Sequence, residues 1–275
     1  MKWNELKNKG WNIKHFKSIS EFLKATDKPL RSDFGNRESS KTGSKSFTGT
    51  SNYNEAMELF KYGWSDKAVD LKKNLGKIKD VQEKFKYVSE YAIAGHSPSI
   101  PRYLQNQPMS MVATKRVKKD SKILTIYWQS VVSSFVSTDK IEKDSTEMLA
   151  LVKSLEKHGY RVNITLIHGA SSGGHDGLYS IKLKDASQPL NISKLAFPLC
   201  HPSMLRRIGF KAIETLTDVF IGSSWRLGYG RPHNLSKYSD YLEQGEFYYE
   251  NSANVSISKN PAYTSVKNLL NNQKN

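Results

Sequence analysis

Cysteine is almost missing from this chain of 275 residues, which holds one, Cys200. A single thiol excludes an intramolecular disulfide framework and a multi-thiolate zinc site. No apolar run approaches the roughly 18 residues that a membrane-spanning helix needs. The start, Met1-Lys2-Trp3-Asn4-Glu5, lacks the apolar stretch of a signal peptide. Acid is also scarce: 26 Asp+Glu face 42 Lys+Arg, a formal net charge of +16. Mean hydropathy is low at −0.60, yet 11% of the residues are aromatic, which argues against a disordered chain. The expectation is a soluble, intracellular, basic protein without membrane contact, metal or cofactor.

The excess charge is unevenly placed. Residues 1–120 hold 24 Lys+Arg and 13 Asp+Glu, about two-thirds of the surplus in under half the chain. An anionic partner is one source of such a bias, and the Lys/Asn enrichment of an A/T-rich genome is another.

Four segments follow from the patterning. Residues 1–51 read as a helical stretch, Trp3 to Ala25, then a Ser/Thr/Gly-rich linker from Arg31 to Ser51 that invites proteolysis. Residues 52–112 read as a helical pair and a Pro-rich crossing. Ser51 or Asn52 with Glu55 forms a capping box, Gly63 is a stop, and a second helix runs from Ser65 past Phe85 to Val88. The crossing offers Ile100, Tyr103, Leu104, Met109 and Met111 for burial. Residues 113–226 read as an α/β domain: a strand at 122–128, a helix at 144–157 and a strand at 160–167 make a parallel, right-handed βαβ unit. Further strands are expected at 178–183, 196–199 and 219–221, with a helix from Pro202 to Leu216. Residues 227–275 are a Tyr-rich extension with a last helix near Val266. The fold class is α/β, a helical basic N-terminal region followed by an α/β sandwich.

Chemistry-bearing patterns are weak. Ser171-Ser172-Gly173-Gly174-His175-Asp176-Gly177 lacks the spacing of a phosphate-binding loop and reads as a turn. His168, His175, Asp176, His201 and Cys200 include zinc-ligand types without zinc-site spacing. Ser130, Ser133 and Ser134 follow the first strand of the α/β half, where doubly wound domains bind ligands, and form a possible ligand loop. Lys115-Arg116-Val117-Lys118-Lys119 places four cations in five residues. No aromatic interleaves them along the chain, so phosphate contact rather than base stacking is expected there. Arg206 and Arg207 oppose the dipole of the helix they begin, and call for an acidic neighbour, either an internal carboxylate such as Glu214 or a bound phosphate.

Several runs together resemble an uncharacterised family of tailed-bacteriophage proteins: Asn54-Glu55-Ala56-Met57, Tyr62-Gly63-Trp64, Gly95-His96-Ser97-Pro98-Ser99-Ile100-Pro101-Arg102-Tyr103-Leu104 and Pro108-Met109-Ser110-Met111. Leu155-Glu156-Lys157-His158-Gly159-Tyr160-Arg161-Val162 and the run from His201 to Phe210 add to the likeness. The α/β half resembles a von Willebrand factor A-type domain, whose first strand ends Asp-x-Ser-x-Ser around a divalent metal. Here the run is Trp128-Gln129-Ser130-Val131-Val132, which implies a metal-free platform. The readings are then a non-enzymatic phage protein that associates with nucleic acid in replication, packaging or defence evasion, and a protein-interaction or virion component that meets an acidic protein partner. An enzyme with an unrecognised site is the third. The resemblance implies the host-cell cytoplasm or the virion. Lys115, Arg116, Lys118, Lys119, Arg206 and Arg207 are the candidate nucleic-acid contacts.

Overall fold

A computed structural model describes residues 1–32, 38–69, 85–118, 122–222, 231–232, 239–250 and 256–271. The N-terminal region contributes helices α1 (Trp3–Asn8), α2 (Ile19–Thr26), α3 (Lys45–Thr48) and α4 (Tyr53–Tyr62), with one strand, β1 (Asn12–Phe16). After it come β2 (Phe85–Ala92), β3 (Ser97–Pro98), α5 (Ile100–Leu104) and β4 (Met111–Lys118). The α/β half runs β5 (Ile123–Gln129), α6 (Thr138–Lys157), β6 (Arg161–Ser172), β7 (His175–Lys184), α7 (Ile192–Cys200), a π-helical turn at Met204–Gly209 and α8 (Phe210–Thr215). Two short strands, β8 (Arg231–Pro232) and β9 (Glu246–Tyr249), and a last helix, α9 (Pro261–Asn271), follow.

The main sheet has the order β1-β7-β6-β5-β9, with β8 pairing the far end of β6. The strand–helix–strand unit β5-α6-β6 is parallel as the spacing predicts. Gly173 and Gly174, both at positive φ, turn β6 back into an antiparallel β7. The Gly-rich run is therefore a hairpin turn. One face of this mixed sheet carries Trp128, Val162, Ile164, Leu166, Tyr179 and Ile181 against Met148, Leu149, Val152 and Leu155 of α6 and against α7 to α9. The other face carries Tyr127, Ile167, Leu178 and Tyr248, covered by Leu6 of α1 and Trp11. Each of the largest buried side chains removes enough apolar surface to contribute about 1.5–3 kcal/mol. Helices on both faces make this an α/β sandwich.

Local chemistry explains where the elements begin and end. Ser18 caps α2 by accepting from Glu21 N at 3.2 Å. Asn52 caps α4 by accepting from Glu55 N at 2.9 Å, while Ser51 N donates to Glu55 Oε2 at 2.6 Å. Gly63 ends α4 at φ 97, where an added Cβ would lie 2.7 Å from the Ser193 carbonyl oxygen. The glycine there permits both the backbone angle and the close approach.

Several expectations change. Residues 12–16 form an edge strand, not helix, because β7 offers an unpaired parallel edge that Asn12–Phe16 fills between Gly10 and the Ser18 cap. Residues 196–199 lie inside α7, which Asn191 caps by accepting from Lys194 N at 3.2 Å. Their unbroken apolar run has no period to separate strand from buried helix. Residues 217–220 form a turn with Val219 and Phe220 buried. Residues 65–69 are helical, but Phe85 and Val88 belong to β2, and the expected helix between them falls outside the described residues. The 31–51 stretch, where described from Glu38 onward, is pinned rather than loose: Ser40, Thr48 and Thr50 are buried.

Candidate nucleic-acid interface

The small sheet, order β2-β4-β3, is separate from the main one, and residues 87–92, 97–98 and 111–115 of it are exposed or half-buried. Lys115 and Arg116 lie within β4 and not ahead of a strand, Lys118 is its last residue, and Lys119 falls outside the described residues. The antiparallel register sets Tyr87 opposite Arg116, Phe85 opposite Lys118, Ser89 opposite Thr114 and Tyr91 opposite Val112. Directly opposed residues share one side of a sheet. Tyr87, an aromatic that the basic run lacks along the chain, thus stands at the register position opposite Arg116. Tyr87 is 68% and Tyr91 51% exposed. The Arg102 guanidinium lies 4.3 Å from the centre of the Tyr91 ring and donates through Nε to the Met109 carbonyl at 3.0 Å. Lys115, exposed, pairs with Val88 and so belongs to the opposite side.

The tip of this ribbon is apolar and open. Ile100, Tyr103, Leu104 and Met109, expected to be buried, are all exposed. Their reason for exposure is geometric: the three prolines fold the crossing into β3, the short α5 and a loop that returns to β4, and no described core element lies over them.

Arg206 and Arg207 are elsewhere and turned inward. Both are buried, and burial lowers the tendency of Arg206 to carry its charge. Arg206 donates to the Phe47 and Val136 carbonyls at 2.6 and 2.9 Å and lies 4.2 Å from the Phe47 ring centre. Arg207 donates through Nε to Thr50 Oγ1 at 2.8 Å, through Nη1 to the Ser40 and Thr42 carbonyls, and through Nη2 to Thr48 Oγ1 and the Thr50 carbonyl. Glu214 holds the same turn by accepting from Ser40 N at 2.9 Å and Ser40 Oγ at 2.6 Å. The pair is a clamp on residues 38–50, and neither guanidinium is presented to solvent as a phosphate contact. Both are carried by the π-helical turn Met204–Gly209, which is wider than an α-helical turn.

The three serines do not converge. Ser130 Oγ donates to the Ile167 carbonyl at 3.3 Å and lies 3.1 Å from His168 Nδ1. Ser133 Oγ accepts from Phe135 N at 3.4 Å, and Ser134 is exposed. Between them Val131 and Val132 are buried with Val136, Ile141 and Leu205. His168 is fully buried and stacked on Tyr179 at 4.8 Å, and burial lowers its pKa to about 3. His201, buried beside Phe197 and Trp64, accepts at Nδ1 from Ser203 N at 3.0 Å, and burial lowers its pKa to about 4. Burial pushes the Cys200 thiol up to about 12, so it is no ready thiolate nucleophile. Among the described residues no group of three His, Cys, Asp or Glu is placed to hold a metal ion, and no helix is long and apolar enough to cross a membrane.

The sequence matches the family described as Domain of unknown function (DUF7192) over residues 7–273. The chain belongs to this family. The match spans the main sheet and the ribbon alike, so both are parts of one family domain. No curated protein and no solved structure matches the chain.

Proposed function

We propose that this protein associates with nucleic acid, without enzymatic activity, through the β2-β4 ribbon. The observation that carries the reading is the register that pairs Tyr87 with Arg116, beside an exposed Tyr91 that already holds the Arg102 guanidinium on its ring. Cations neutralise phosphates, and exposed aromatic rings stack on bases, which together favour a single strand whose bases are free to splay. The resemblance to tailed-bacteriophage proteins assigns the setting: a phage protein of the host-cell cytoplasm, acting in replication, packaging or defence evasion.

The order of the main sheet supports reading it as a metal-free A-type platform. The run β7-β6-β5-β9 follows the 3-2-1-4 part of the doubly wound order, with its third strand reversed. Trp128 stands where the metal-binding aspartate belongs, buried 4.5 Å from the Tyr249 ring. A second reading, a protein-interaction or virion component meeting an acidic protein partner, draws on the exposed apolar tip at Ile100, Tyr103, Leu104 and Met109.

The test is binding of a labelled oligothymidylate by the full chain and by Tyr87→Ala/Tyr91→Ala. Stacking is worth about 1–3 kcal/mol per base, so the double variant should bind at least tenfold more weakly with an unchanged melting temperature. Equal affinity of the two proteins removes the ribbon as the contact, and retained virion association by a protein that binds no nucleic acid establishes the second reading.

A further inference from the structure

A second charged feature lies on the main body. A groove of about 1,210 Å³ opens between α2, α4, the end of β7 and the start of α7, and eight lysines and two aspartates line it. Four of those lysines are paired with three carboxylates: Glu38 with Lys41 and Lys211, Asp185 with Lys182, and Glu156 with Lys184. The other four, Lys17, Lys24, Lys61 and Lys194, are exposed and have no carboxylate within 4.0 Å among the described residues. Asp27 on the same rim is likewise free of an ion pair, so the uncompensated charge of the groove is positive. Each free cation comes from a different place in the chain, and folding alone gathers them around one opening. Asp27 offsets one of the four charges, and the excess that is left favours an anionic occupant.

We infer that this groove holds the phosphodiester backbone of a nucleic-acid strand. The groove exceeds the ~300–1,000 Å³ usual for small-molecule pockets and is open. Its cations come from three helices and the loop ahead of α2, spread along the rim instead of converging on one point, which suits a chain of phosphates better than one phosphate. Lysine acts on phosphate as a point charge and reads no base. The inference adds a second contact surface to the proposed nucleic-acid association, and it has a separate signature. A backbone groove contributes counterion release, whereas the ribbon tyrosines contribute stacking, which depends little on salt.

The experiment measures oligothymidylate affinity from about 50 to 300 mM salt for the full chain, for Lys17→Gln/Lys24→Gln/Lys61→Gln/Lys194→Gln and for Tyr87→Ala/Tyr91→Ala. At about 0.7 per neutralised phosphate on a single strand, the quadruple variant should flatten the slope of log K against log salt by 2 to 3. The tyrosine variant should lower affinity and keep the slope. An unchanged slope in the quadruple variant overturns the groove and leaves the ribbon reading standing. A flattened slope with wild-type affinity in the tyrosine variant does the reverse. A poly-glutamate peptide serves as competitor: displacement of DNA by it at equal charge concentration assigns the groove to acidic protein and also overturns the inference. The four lysines are exposed, so melting temperature should match in all three proteins.

Discussion

The buried histidines make stability fall steeply on mild acidification. An unfolded histidine takes up a proton near pH 6.5, whereas burial lowers His168 to about 3 and His201 to about 4. Between those limits the unfolded chain binds more protons than the folded one, so stability rises with pH there and is lost as pH falls below about 6.5. Going from pH 7 to pH 5 costs about 1.4 kcal/mol per pH unit below the unfolded pKa, or about 2 kcal/mol for each ring. Glu250 acts in the opposite direction, since burial raises its pKa to about 7 and the folded state there holds the extra proton. The wild-type slope alone is therefore a sum of opposing groups. The informative comparison is His168→Gln, which removes one ring and leaves Glu250 and His201 in place. Urea unfolding at pH 7, 6 and 5 should show the variant less stable than wild type at pH 7, with the gap narrowing by about 2 kcal/mol at pH 5. A gap that stays constant across the three pH values would refute the reasoning, because His168 would then titrate alike in both states.

Two further perturbations probe the packing around the π-helical turn. Arg207→Ala removes five hydrogen bonds and leaves the buried Ser40 carbonyl without the Arg207 donor, which at about 1–3 kcal/mol per unsatisfied buried group should lower the melting temperature by several degrees and open residues 38–50 to protease. In the wild type the first cut should fall instead at the exposed ribbon tip around Tyr103 and Leu104, and early cleavage within 38–50 would show the clamp to be weak. Gly209→Ala would set a Cβ 2.7 Å from His168 Cε1, so a loss of about 1–3 kcal/mol from overpacking is expected, read by the same urea titration; full stability would mean that the ring yields freely.

Patterns within a few residues were legible without the structure. The capping box ahead of Glu55, the Gly63 stop, the helix at 144–157 and the strands β5 and β6 are determined by side chains that act on neighbouring backbone. The last helix near Val266 and the Gly173-Gly174 turn belong with them. Features that depend on pairing across the chain were not. Nothing in Asn12–Phe16 or Glu246–Tyr249 marks them as edge strands until β7 and β5 present edges to fill. Arg206 and Arg207 read as calling for a carboxylate or a phosphate because the carbonyls that receive them lie 70 to 167 residues earlier in the chain. The basic run read as lacking aromatics because Tyr87 arrives from 29 positions upstream, through the ladder that joins it to Arg116. The lysine groove has no linear signature at all, since its four free cations come from segments up to 177 residues apart. Sequence alone determined the local caps, stops and periods and the excess of positive charge; only the tertiary structure decided which charges are buried and which meet across a ladder or a groove, because burial and juxtaposition are properties of distance in space, and distance along the chain does not set them.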